Sequence, residues 1–137
     1  MKPTLNRTHK GNRAELWVRD IYQKAGYKVE KARCSKGVFD RECEPKNRSC
    51  VYLLVKLLSD VVGRKQPETD RLLEVLPYVT GKHFVQITTN STRGRIKAIK
   101  AVPWDSLPAN AVKVLVVKYD AKHGGGSRWW FFVKGEE

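Results

Sequence analysis

The chain has 137 residues, enough for one domain with a real core. With 41% hydrophobic and 30% charged residues it has the composition of a soluble globular protein, and no window is apolar enough to span a bilayer. Against 14 Asp and Glu stand 27 Lys and Arg, a formal net charge of +13. Such an excess fits a polyanion partner, because each neutralised phosphate releases condensed counterions. The basic residues are interleaved with aromatics and hydroxyls, which ranks nucleic acid ahead of a basic surface that serves solubility alone. Three cysteines (Cys34, Cys43 and Cys50) without paired spacing argue against a disulfide scaffold. The polar, basic first residues do not read as a secretory signal, so a cytoplasmic, intracellular protein is the default expectation.

Residues 1–8 are polar and expected to be flexible, and the chain is expected to form a single domain over 1–137. From about 9 to 25, Ala14, Val18, Ile21, Tyr22 and Ala25 recur near helical spacing, and Gly26 is a natural stop. Residues 27–32 alternate as a half-buried strand does. Ser35-Lys36-Gly37 signals a turn, after which Val38-Phe39-Asp40 can open a strand. The polar stretch 41–49, with Pro45 and Asn47, reads as a loop or hairpin connection.

The almost wholly apolar run 51–58 predicts a strand covered on both faces. Pro67 suits the first turn of a helix reaching about residue 76 or 78, which Gly81 would end. Strands are predicted over 83–89, 95–102, 112–118 and 129–133, with one helical turn or a loop at 103–108. His123-Gly124-Gly125-Gly126 is a hairpin link rather than a phosphate loop, since no helix follows it. A central mixed β-sheet flanked by helices follows, in the α/β or α+β class.

Within this order three polar groups can meet. In a strand, residues two apart share a face, so Leu54 and Lys56 would stand side by side next to Asp40 on a neighbouring strand. Glu15 on the opening helix would complete the group. Cutting a phosphodiester with a metal needs carboxylates for Mg²⁺ and a cation for developing charge, and two or three acids suffice because Mg²⁺ keeps several waters. Lys56 between Val55 and Leu57 reads as a buried lysine, costly unless it has a task; at a sheet edge it would instead snorkel outwards.

Lys10-Gly11-Asn12-Arg13-Ala14-Glu15, Ser35-Lys36-Gly37-Val38-Phe39-Asp40 and Leu54-Val55-Lys56, in that order, resemble the PD-(D/E)XK nucleases, and among them the archaeal Holliday junction resolvases. The likeness spans roughly residues 10–89 and implies a restriction-endonuclease-like fold. It implies a metal-dependent DNA endonuclease acting on branched or duplex DNA as a homodimer, with Mg²⁺ as cofactor and Mn²⁺ able to substitute. By the same resemblance Glu15 and Asp40 hold the metal and Lys56 is the catalytic cation. Leu54 departs from the pattern, standing where the Glu-X-Lys element has an acid or a glutamine. Asp40, Glu42 and Glu44 would share a strand face if the polar segment were a strand, offering a relocated carboxylate.

Each residue also has a plainer reading. Glu15 can pair with Arg19 four residues on, and Asp40 can be a turn residue. Lys10, Arg13, Lys36, Arg93, Arg95 and Lys97 are candidate nucleic-acid contacts, the last three following a run of hydroxyls; a solvated strand face competes. Trp129, Trp130, Phe131 and Phe132 read as core or interface rather than a base-stacking platform. The cysteines with His9, His83 or His123 lack zinc-ligand spacing. The competing functions are a nuclease-derived module that binds DNA without cutting it, favoured by Leu54, and an interaction protein, which leaves the charge unexplained.

Overall fold

In the computed structural model the residues described are 2–32, 37–62 and 81–135, with side chains over 13–32, 37–59 and 81–135. The elements are α1 (Lys2–Lys24), β1 (Tyr27–Lys31), β2 (Arg41–Pro45), α2 (Arg48–Val62), β3 (His83–Thr89), α3 (Arg95–Ala101), β4 (Val112–Lys118) and β5 (Ser127–Val133). The five strands form one sheet in chain order, antiparallel at every junction except β3–β4. Those two run parallel and so need a crossover, which α3 supplies.

Alternation along the strands divides the core into two layers. On one face Val18, Ile21 and Tyr22 of α1 and Val51, Leu54 and Leu58 of α2 meet Val85, Val114, Val116 and Trp129. On the other, Ile99, Val102 and Leu107 meet Phe39, Phe84, Leu115 and Val117. The fold is therefore α+β, a mixed sheet covered by helices on both sides. Trp129 and Phe131 are core, while Trp130 and Phe132 pack part-buried on the opposite face.

Four expectations change. The apolar run 51–58 is helix, not strand. Cys50, Val51, Leu54, Val55 and Leu58 fall on one buried helical face, while Tyr52, Leu53 and Lys56 are exposed on the other. The Ser59 hydroxyl donates to the Val55 carbonyl four residues back (3.0 Å), as in a helix. Residues 95–101 are also helical, because Ile96 and Ile99 lie three apart on the inward side. Conversely, the polar segment after Asp40 contains a strand, with Cys43 buried between Glu42 and Glu44. α1 begins at Lys2, well before the expected start near residue 9. The helix expected from Pro67 lies outside the described residues.

Among the described residues Lys113, not Lys56, is the buried lysine. It is sealed beneath α3, where its Nζ donates to the Val102 carbonyl at 2.6 Å and lies 4.2 Å from the centroid of the Trp104 ring. An ammonium in such a place needs these partners, which join the end of α3 to the start of β4.

His83 is fully buried among Tyr22, Tyr27 and Phe131, and its Nδ1 shares a 3.0 Å hydrogen bond with the Tyr22 hydroxyl. Burial lowers its pKa from 6.5 to about 3, so the ring is neutral in the fold. The unfolded chain takes the proton first. Stability is thus complete above pH 6.5 and lost as pH falls toward 3, on the order of 4 kcal/mol over that window. His83→Asn keeps an acceptor for Tyr22 and is expected to flatten this loss in urea titrations at descending pH. An unchanged acid limb would rule the histidine out as its source.

Gly81 is required by a close approach, whereas the helix it was expected to end lies outside the described residues. A Cβ there would stand 2.2 Å from the backbone oxygen of Asn110 and 2.6 Å from its carbonyl carbon. Backbone cannot swing aside as a side chain can. Gly81→Ala is expected to cost about 3 kcal/mol, read as a fall in the urea midpoint.

Candidate functional site

The site forms where β2 ends beside a longer β3. Asp40 lies one residue before β2, and its N–H donates to the Val85 carbonyl (2.7 Å). Its carboxylate Oδ2 accepts the Ile87 N–H at 2.8 Å, replacing the ladder partner that β2 no longer supplies. The carboxyl is therefore held by backbone on both strands, with Oδ1 left for a ligand. Burial pushes its pKa above the ordinary carboxylate value, against the opposing pull of the Ile87 N–H and the charges of Arg95 and Arg41.

Arg41 connects Asp40 to α1. It follows Asp40 in the chain, and its Nε lies 3.7 Å from Glu15 Oε1, a charge contact too long for a hydrogen bond. Glu15 is thus drawn to Arg41 rather than to Arg19, whose guanidinium meets Asp20 at 3.5 Å. Among the buried polar atoms without a hydrogen-bond partner are Arg41 Nε, on the α1 side beside Glu15, and Gln86 Oε1, on the opposite face of the sheet with Phe84. Gln86 precedes Ile87, whose amide grips Asp40. Buried polar groups are nearly always satisfied, so an orphan acceptor one residue from the amide that holds the desolvated carboxyl leaves hydrogen-bonding capacity for a polar ligand.

The structure brings Glu15, Asp40 and Arg95 to this end of the sheet. It does not bring Lys56, which is exposed on α2 and is not among the charges acting on Asp40. Reading the run as a strand put Lys56 on a sheet it never joins, and Leu54 is core packing rather than a lost ligand. β3 takes the place beside Asp40, carrying Gln86, Ile87 and Thr88. Glu42 does share a strand face with Glu44, but it is paired with Lys82 at 3.2 Å, so the relocated carboxylate is already engaged. Arg93, Arg95 and Lys97 are exposed around the start of α3, a turn and helix rather than the expected strand. Lys10 lies on α1 with its side chain outside the described set, and Lys36 lies outside the described residues.

Among the described residues no three His, Cys, Asp or Glu side chains gather to hold a metal. Mg²⁺ keeps several waters and needs as few as one or two carboxylates, of which Asp40 is the one held at this end of the β2–β3 seam. Cys43 and Cys50 are buried free thiols, and burial raises the Cys43 pKa further from thiolate. Gln86, Arg41 and Lys118 were not singled out by sequence reasoning. For Gln86 a signal existed: it is the polar residue inside the apolar run Phe84-Val85-Gln86-Ile87.

Beyond Thr88 a cleft of about 220 Å³ opens between α1 and the ends of β3 and β4, lined by Arg13, Thr89, Asn90, Lys118, Tyr119 and Asp120 among others. Asn90 adopts positive φ (61°) and is clasped to Asp120 by paired bonds, Nδ2 to Oδ2 (3.1 Å) and the Asp120 N–H to Asn90 Oδ1 (2.9 Å). No helix among the described residues is long and apolar enough to cross a membrane. Comparison with protein-family models, curated proteins and solved structures found no match.

Proposed function

We propose that this chain is a metal-dependent DNA endonuclease of resolvase-like type, with a restriction-endonuclease-like fold, acting on branched or duplex DNA as a homodimer. The observation that carries this reading is the desolvated Asp40 carboxyl, fixed by the Ile87 N–H and acted on by the charges of Arg95 and Arg41. The opening helix, mixed sheet and +13 charge support it.

Asp40 Oδ1 and Glu15 are the groups that would hold Mg²⁺ or Mn²⁺, which would supply an activated water and neutralise phosphate charge. Arg41 and Arg95 take the part first assigned to Lys56. Their guanidinium groups bind the phosphate through fixed forks and stabilise the charge that grows on it. Glu15 keeps Arg41 turned toward the site. Arg93 and Lys97 extend the cationic path for the backbone of the nucleic acid.

One observation favours a second reading, binding without cutting: Thr88, two residues past Gln86 on the same strand face, is a hydroxyl where a Glu-X-Lys element would present its lysine. A labelled four-way junction and a linear duplex, incubated with the protein and Mg²⁺ or Mn²⁺, separate the two. Metal-dependent nicking that disappears in Asp40→Asn supports the enzyme. Tight binding with no nicking in either protein leaves the binding module.

A further inference from the structure

We infer that the cleft beyond Thr88 is a phosphate subsite. It would hold the backbone phosphate next to the one at Asp40, on the same nucleic-acid strand. This rests on the phosphodiester reading above and adds a register to it. α1 and β3 run in opposite directions past each other: Tyr22 meets His83, Glu15 meets Arg41 beside Val85, and Arg13 and Ala14 meet Thr89 and Asn90 across the cleft. Going from Ile87, which grips Asp40, to Thr89 is a step of two strand residues, about 7 Å. One step thus separates the junction at Asp40 from the cleft, comparable to the separation of neighbouring phosphates on an extended strand.

The cleft's chemistry suits such a group. Arg13 comes from α1 and Lys118 from the end of β4, so cations approach from two sides. Lys118 Nζ lies 4.5 Å from the centroid of the Trp17 ring, which steadies the ammonium and leaves its charge in place. The one carboxylate in the lining is occupied. Asp120 Oδ2 accepts from Asn90, and Oδ1 meets His123 Nδ1 at 2.7 Å, so its charge is drawn away from the cleft. Thr89 in the lining offers a hydroxyl. At about 220 Å³ the cleft is smaller than the roughly 300–1,000 Å³ of independent small-molecule sites, which fits one unit of a longer strand rather than a free ligand.

The test uses the full chain, without divalent metal, and fluorescent junctions in which one neutral methylphosphonate is moved along the strand. At one position the wild type is expected to lose about tenfold in affinity, the worth of a charge-assisted contact. Lys118→Gln binds more weakly throughout, with a salt slope lower by about one, and is indifferent to the modification at that position. Arg13→Gln repeats the cycle from the other wall, and the wild-type arm needs no variant to fold. Additive effects at every position overturn the subsite, even if the wild type nicks DNA with metal. Coupling at one position without nicking upholds the subsite while the hydrolytic reading falls. No binding to any nucleic acid overturns both.

Discussion

Leu54→Glu is expected to unfold the protein, not to furnish it with an acid. Leu54 has no exposed surface and packs among Val51, Leu58 and the α1 face over the sheet. Losing its packing costs about 2–5 kcal/mol by analogy with other leucine deletions. A carboxyl put in its place adds desolvation, which it meets by staying protonated. The sum is a large part of the roughly 5–15 kcal/mol that holds a domain together. Because the ionised form is the one excluded, the loss deepens as pH rises. Lys56→Ala, on the solvent side of the same helix, should stay within about 0.5 kcal/mol of wild type. Urea midpoints at two pH values compare the pair, and a Leu54→Glu protein as stable as wild type would contradict the burial of this helix face.

Asp40→Asn is expected to gain stability while losing activity. The folded-state pKa lies above the ordinary carboxylate value because burial outweighs the Ile87 N–H and the two arginines. The ionised group is therefore disfavoured in the fold, a penalty present above the folded pKa and relieved as pH falls through it. Asparagine is neutral and keeps an oxygen for the Ile87 N–H. Its melting temperature should exceed that of wild type at neutral pH and converge with it in acid. Metal-dependent nicking should fall by at least about 10²-fold, as when other oriented charge-stabilising groups are removed. Asp40→Ala loses the same activity but also strands the Ile87 amide, so its stability should drop. A neutral variant no more stable than wild type would mean that the carboxyl is held there for structure alone.

The strands at 83–89 and 112–118 were legible because long β-branched runs between turn residues have few alternatives. The run 51–58 was not, since Tyr52 and Leu53 face solvent and hide the helical period behind a continuous apolar stretch. The segment 95–101 failed the other way: basic and apolar residues alternate over Arg95-Ile96-Lys97, yet Ile96 and Ile99 are the inward pair. Asp40 and Glu15 were picked out as candidates from their local settings. Arg41 and Gln86 were missed because what isolates them is tertiary, the end of β2 beside a longer strand. The buried lysine was misplaced for a similar reason. The carbonyl at the end of α3 and the Trp104 ring help make position 113 habitable for an ammonium, and neither adjoins it in the chain.

The pairing of β2 with β3 runs only from Arg41↔Val85 to Cys43↔His83, whereas β3 and β4 are matched along their whole length. The hairpin of β1 and β2 is thus fastened by a short seam, and the grip of Asp40 on Ile87 is its last stitch. Local opening draws on such weakly joined units. Whatever occupies Asp40 competes with or reinforces that stitch, so ligation and hairpin detachment are thermodynamically linked. Slowed amide exchange across β1 and β2 would report occupancy of the junction before any bond is cut.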